Sequence, residues 1–277
     1  MNALARTDYA AWSLSEAVVS ELMRHGLYVF DEAVSPRGCA ELLAEIRRDR
    51  RFDASLFLTE DEFAEAPEAR GGRGLLDGFD GKLEFIERAP QLVEALWSLL
   101  GPDYRILGRE VICLLPEAAI PQWVRRRLFA SGEGDLAPYF RPERRDIVYC
   151  AAGDLRQDPY QDVWPAEVLT LDVNLHAVGD AEGLRLLEGS HRMGPLETSA
   201  CLQRTAPGAW RCRNGMKREM RLDEYVFAGE AGSAALRHGW TLWGDAAAQQ
   251  ERITLRYRFR RGAVRAAGID VVNAHLA

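Results

Sequence analysis

From Arg105 onward the chain breaks into short apolar segments separated by Gly, Pro and Asp, and this texture limits the fold more than any other feature. The strand-like segments are Val111–Leu115, Ile147–Cys150, Val168–Leu175, Leu184–Leu187, Tyr225–Phe227, Ala234–Leu236 and Ile253–Phe259. Short strands with turn residues between them cannot bury an apolar face alone, so they predict a β-sandwich or barrel core. A helical insert around Trp123–Phe129 interrupts them.

The first third reads differently. Ser13 and Glu16 have capping-box spacing ahead of Ala17, Val18, Val19, Leu22 and Met23, and His25-Gly26 ends that helix. Leu27–Phe30 reads as a short buried strand. Ser35-Pro36 opens a second helix with Leu42, Leu43 and Ile46 on one face, and a third runs from Pro90 to Leu100 before Gly101. Thr59–Gly81, acidic and then Gly-rich, reads as a long surface segment. Helices gathered before the strands predict an α+β arrangement rather than alternating β-α-β. No repeat or linker divides the chain, so we expect one domain over 1–277, helical to about 104 and β-rich from about 105 to 260.

Composition removes several function classes. With 47% hydrophobic and 28% charged residues the chain is globular, not disordered or collagen-like. Lys and Arg number 35 against 42 Asp and Glu, a net charge of -7, which argues against a nucleic-acid partner. No apolar stretch approaches the roughly 18 residues of a membrane span, and Met1–Glu16 lacks a signal-like apolar core, so the expected compartment is the cytoplasm. Cys39, Cys113, Cys150, Cys201 and Cys212 form no C-x-x-C pair and read as reduced thiols. Only five histidines are available for metal or acid-base chemistry: His25, His176, His191, His238 and His275.

Four segments in order carry a likeness to a known family. They are Gly26–Phe30 with the Ser35-Pro36 helix; Leu155-Arg-Gln-Asp158; Gly183-Leu-Arg-Leu-Leu187 followed by Glu188-Gly-Ser-His191; and Leu236-Arg-His-Gly-Trp-Thr-Leu-Trp-Gly-Asp245 followed by Arg252-Ile-Thr-Leu-Arg-Tyr257. Together they resemble the phytanoyl-CoA dioxygenase-like group of Fe(II)/2-oxoglutarate oxygenases. Tyr139–Asp146 is most similar to members linked to surface-sugar or small-metabolite pathways. The resemblance implies a double-stranded β-helix, a cupin-like jelly-roll, with the N-terminal helices packed on one face.

It also implies an iron held by two imidazoles and one carboxylate, with the remaining positions open to 2-oxoglutarate and O2. Asp158 matches the carboxylate, but Arg156 and Trp243 stand where the histidines belong. A guanidinium and an indole N–H are donors only and have no lone pair for a metal. Arg156 is instead expected to pair with Asp158 and place a fixed positive charge at the metal position. His238 and His191 are fallback ligands, each with a competing reading as a hydrogen-bonded structural histidine, as has His176; His25 and His275 have no functional reading.

By the same resemblance Arg252 matches the arginine that binds the 2-oxoglutarate carboxylate. Alternation puts Arg252, Thr254, Arg256 and Arg258 on one strand face, either a solvated surface or an anion-binding wall with Arg252 or Arg256 as contact. Gly71–Gly74 fails as a nucleotide loop because no strand precedes it. Arg125–Arg127 reads as a solvated basic face, or as a contact for a membrane or an acidic partner; Glu60-Asp61-Glu62 reads as a solvated acidic one.

Three functions follow. The first is a non-catalytic relative without iron, a partner of an intact family member or a module for a small anionic metabolite. The second is a metal-free isomerase, lyase or cyclase with Asp158 as general base and Arg156 or Arg252 as anion clamp. The third is a working Fe(II)/2-oxoglutarate hydroxylase with displaced ligands, in secondary-metabolite or surface-sugar biosynthesis. The expected co-substrate site takes 2-oxoglutarate or another small carboxylate, and Fe(II) is not expected.

Overall fold

The computed structural model describes residues 13–48, 56–65, 79–131, 136–141, 148–150, 155–158, 167–197, 199–215, 219–246, 249–264, 267–274 and 276. The Gly71–Gly74 run, most of Tyr139–Asp146, and His275 lie outside them. Helix α1 spans Leu14–His25, with both capping-box bonds in place: the Ser13 N–H donates to Glu16 Oε2 at 2.9 Å, and the Glu16 N–H donates to Ser13 Oγ at 3.4 Å. Gly26 ends it at φ 75°, and the chain turns directly into β1, Leu27–Phe30. Helices α2 (Pro36–Arg48), α3 (Glu60–Glu65), α4 (Glu84–Glu87) and α5 (Pro90–Leu100) precede β2, Arg105–Leu114.

Beyond β2 come α6 (Gln122–Ser131), β3 (Val148–Cys150), β4 (Val168–Asn174), β5 (Leu184–Leu187), β6 (Cys201–Ala206), β7 (Ala209–Arg213) and β8 (Met220–Phe227). The chain closes with β9 (Ala234–His238), β10 (Trp243–Asp245), β11 (Arg252–Arg260) and α7 (Ala267–Asn273). These strands form a six-stranded sheet, β1-β9-β4-β11-β2-β3, and a five-stranded sheet, β10-β5-β8-β7-β6. Only β2 and β3 run parallel. The two curled sheets make a jelly-roll-like core.

Period-two alternation decides what each face of the larger sheet does. Leu169, Leu171 and Val173 of β4, Leu236 of β9, and Ile253, Leu255, Tyr257 and Phe259 of β11 are buried in one cluster with Val18, Leu22, Leu42, Ile46, Leu92 and Leu99 of the helices. The helices therefore cover that face, as the helix-before-strand order predicts. The opposite face looks across to the smaller sheet: Leu27 and Ala235 share a cluster with Leu184, Leu186, Phe227 and Trp243.

Within Thr59–Gly81, expected as a surface segment, Glu60–Glu65 form helix α3 with no buried residue, and Phe57 bridges to Phe140 beside it. Strands β6 and β7 form a largely exposed hairpin whose apolar residues, Leu202, Trp210 and Cys212, are too few to mark strands in the sequence. Helix α7 also went unread; it packs where Gly268 lies so close to Ser98 and Leu99 that a Cβ would meet the Ser98 carbonyl at 2.3 Å.

The α1–β1 turn is locked from both sides. The Gly26 carbonyl accepts from the His238 N–H at 2.9 Å and from Thr241 Oγ1 at 2.7 Å. A Cβ on Gly26 would sit 2.3 Å from His191 Nδ1, at a φ that disfavours any side chain. We expect Gly26→Ala to destabilise the fold by about 1–3 kcal/mol from backbone strain, with the clash adding to it. Urea denaturation of the variant checks this through its midpoint.

Candidate functional site

The face of the larger sheet that looks across at the smaller one is polar, and strand register sets its pattern. Arg256 lies opposite Asp172, and Arg258 opposite Thr170, between β11 and β4. Thr170 lies opposite Arg237 between β4 and β9. These side chains project into the space between the sheets, where Arg237 is 0% exposed and Asp172 is 1% exposed. Water cannot compensate their charges there, so they compensate each other.

The pairing is specific. Asp172 Oδ1 accepts from Arg256 Nε at 2.6 Å, and its Oδ2 accepts from Arg237 Nε at 3.2 Å. Arg237 Nη1 lies 2.9 Å from Asp158 Oδ2, which also accepts from Thr170 Oγ1 at 3.3 Å. Arg252 donates from Nη2 to Asp245 Oδ1 at 2.5 Å and from Nη1 to the Glu182 carbonyl at 2.6 Å. Burial alone would raise the Asp158 pKa, but the charges of Arg237, Arg256 and Arg258 outweigh it and hold the carboxyl well below the usual range. Arg256 mirrors this: burial opposes its charge, and Asp172, Asp158 and Asp245 overcome that and raise its pKa.

Trp243 closes the cluster from the smaller sheet. It forms a β-bridge with Arg156, the Arg156 N–H donating to the Trp243 carbonyl at 2.8 Å and the Trp243 N–H to the Arg156 carbonyl at 2.9 Å. Around the indole ring stand the guanidinium carbons of Arg156, Arg256 and Arg237, at 4.1, 4.2 and 5.1 Å from its centroid. Partly desolvated cation–π contacts of this kind contribute about 0.5–2 kcal/mol each.

Positions 156, 158 and 243 thus meet in one place, but not with the pairing expected from sequence. Arg156 does not hold Asp158; its Nη2 lies 3.6 Å from Asp245 Oδ2, and its guanidinium covers Trp243. Arg237 reaches Asp158 from β9 instead. Nor is the arginine face of β11 a solvated surface, since Arg252, Thr254 and Arg256 are all buried. The anions that Arg252 and Arg256 contact are Asp245 and Asp172 of the same chain.

The histidines are engaged elsewhere. His238 donates from Nε2 to Asn273 Oδ1 at 3.0 Å and accepts the Trp240 N–H on Nδ1 at 3.2 Å. His191 donates from Nε2 to the Met23 carbonyl at 3.3 Å, and its pKa is lowered to about 3 by burial, with His238 and Arg192 adding to it. His176 accepts the Ile253 N–H at 3.0 Å. Among the described residues no group of three His, Cys, Asp or Glu side chains could hold a metal ion. The Arg125–Arg127 run meets its own chain: Arg125 pairs with Glu117 at 3.3 Å, Arg126 with Glu60 at 3.8 Å, and Arg127 lies over Phe63.

Arg237, Asp172, Asp245 and Thr170 are the members that sequence reasoning missed. Their signal was present: Thr170 and Asp172 alternate with Leu169, Leu171 and Val173 along a strand that is buried throughout. A charged residue on the second face of such a strand requires an internal partner.

Two expectations follow. Asp172→Asn leaves two buried guanidinium groups short of one carboxylate and should cost about 3–5 kcal/mol in chemical denaturation, whereas Arg37→Gln at an exposed pair should leave the midpoint unchanged. His25 Nδ1 lies 2.9 Å from Glu188 Oε2, and that hydrogen bond raises the His25 pKa against the opposing effect of burial. A raised folded pKa gives stability that is fully present below the ordinary histidine value of about 6.5 and is lost as pH rises through the folded value. Unfolding midpoints should fall across that window in the native chain, and Glu188→Gln should flatten the fall.

No protein-family model matches the chain, and no curated protein matches it in sequence. Solved structures do share its fold. The epimerase SnoN, in complex with Fe3+, alpha ketoglutarate and nogalamycin RO, superposes with a TM-score of 0.53 at 18% identity over 96% of this chain and 90% of that one. The non-heme alpha ketoglutarate dependent carbocyclase SnoK from nogalamycin biosynthesis gives 0.52 at 12% identity, covering 91% and 86%. The non-heme monooxygenase ThoJ in its nickel complex gives 0.51 at 14%, covering 88% and 77%. The chain therefore has a 2-oxoglutarate oxygenase-like fold, and identities this low speak to the fold alone.

Proposed function

We propose that this chain is a phytanoyl-CoA dioxygenase-like member of the oxygenase fold, built on a double-stranded β-helix, in which an internal ion-pair cluster has replaced the iron site. It acts by binding, as a module for a small anionic metabolite or as the non-catalytic partner of an intact relative. The observation that carries this reading is the buried Arg237–Asp158 pair, at 2.9 Å, beside Trp243 and Arg156.

The donor set does not fit Fe(II) with 2-oxoglutarate. Arg156 and Trp243 carry no lone pair for a metal. The remaining carboxylate already faces a guanidinium, so a dication would have to displace or approach a fixed positive charge. Arg252, the match for the co-substrate arginine, is committed to Asp245 and the Glu182 carbonyl. The same pair weakens the metal-free enzyme reading. A general base works best with a pKa near the working pH, and the arginines hold Asp158 far below it.

The test is anaerobic equilibrium dialysis against Fe(II) with 2-oxoglutarate, followed by aeration and assay for succinate. We expect no stoichiometric iron and no succinate. One iron per chain together with succinate formation would overturn the reading.

A further inference from the structure

The buried cluster contains more donors than it can use. Among the described residues Arg156, Arg237, Arg252 and Arg256 face Asp158, Asp172 and Asp245, an excess of one positive charge. Three buried donor atoms here have no acceptor among the described residues: Arg252 Nε, Arg237 Nη2, on a side chain 0% exposed, and Trp243 Nε1, on a residue 5% exposed. A buried donor left without an acceptor is costly, and a ligand that supplies one relieves that cost. Arg237 Nη2 and Trp243 Nε1 belong to one locale, since the Arg237 guanidinium carbon lies 5.1 Å from the Trp243 ring centroid. Arg156 marks its outer side: its side chain is 44% exposed, and its nearest carboxylate is 3.6 Å away.

We infer that this locale is a binding site for a monoanionic carboxylate, held by Arg237 Nη2 and Trp243 Nε1 and covered by Arg156. This inference names the ligand class of the metal-free binding site proposed above and rests on that reading. A carboxylate is acceptor-only, and its two oxygens match Arg237 Nη2 and Trp243 Nε1. Its single charge brings the cluster to neutrality. A phosphate dianion would carry the same buried space to an excess negative charge, which the protein interior penalises. The contact sits on the arginines around Trp243, away from Arg252, whose guanidinium is bound to Asp245 and Glu182.

The probe is sodium acetate, titrated at constant ionic strength against sodium chloride, with sodium phosphate as a second arm and tryptophan fluorescence and thermal unfolding as readouts. Acetate is expected to raise the unfolding temperature of the native chain and to change its fluorescence saturably, with chloride and phosphate weaker by tenfold or more. Trp243→Phe keeps an aromatic ring under Arg156 while removing the indole N–H together with its five-membered ring; it should weaken acetate binding about tenfold, read by thermal unfolding. Arg156→Gln, at a side chain 44% exposed, should also weaken it about tenfold. Equal responses to acetate and chloride overturn the inference, as does a Trp243→Phe chain that binds acetate like the native one. Phosphate binding as tight as acetate overturns the carboxylate assignment. Fe(II) dialysis on the same preparation separates the two levels: stoichiometric iron removes the underlying reading, whereas absence of both iron and acetate binding removes only this inference.

Discussion

Arg237 is withdrawn entirely from water between two β-sheets, and an isolated guanidinium there would cost many kcal/mol. It is tolerated because Asp172 meets one edge and Asp158 the other. That requirement spreads outward. Asp172 must also serve Arg256, so β4, β9 and β11 have to hold a register that places all three side chains on the same face. Asp158 lies outside any strand, so its short segment must be drawn against the sheet. Removing any carboxylate strands a charge, and for that reason the network is a constraint on the whole sandwich rather than a local decoration.

Trp243 and Arg156 show how the second sheet is tied to this network. Their backbones exchange two hydrogen bonds, and their side chains stack at 4.1 Å. Arg156 and Trp243 together form a contact that joins the segment before Asp158 to the smaller sheet. The indole supplies an electron-rich surface that three guanidinium groups share, and it fills space with apolar atoms where Leu184, Leu186 and Phe227 continue the core. A metal centre links strands through coordination bonds to one ion. Here comparable linkage comes from ion pairs and cation–π contacts distributed over several side chains.

Most of the architecture was legible before any coordinates. Apolar periodicity in Ile253–Phe259 and Val168–Leu175, the Ser13–Glu16 box and the Pro36 and Pro90 helix starts are local signals, and each corresponds to an element. The β6–β7 hairpin and α7 were not legible, because a largely exposed hairpin with few apolar residues and a short helix lack a strong apolar period. At the site, the identities of Arg156, Asp158 and Trp243 pointed to one shared locale, where the structure brings Arg156 and Trp243 into contact. The partner of Asp158 was not legible, because Arg156 is its neighbour in sequence whereas Arg237 is far from it along the chain.

The sequence by itself determined the residue chemistry: Arg156 and Trp243 as donors without lone pairs, Asp158 between short apolar segments, and arginines on one face of β11. Only the tertiary structure decided which carboxylate meets which guanidinium and whether that face looks to solvent or inward. The physical reason is that alternation along a strand defines two faces without saying which is covered. Helices on one side and a second sheet on the other made both faces interior. Once both were interior, every charge needed a partner from another strand, and strand register rather than sequence proximity supplied it.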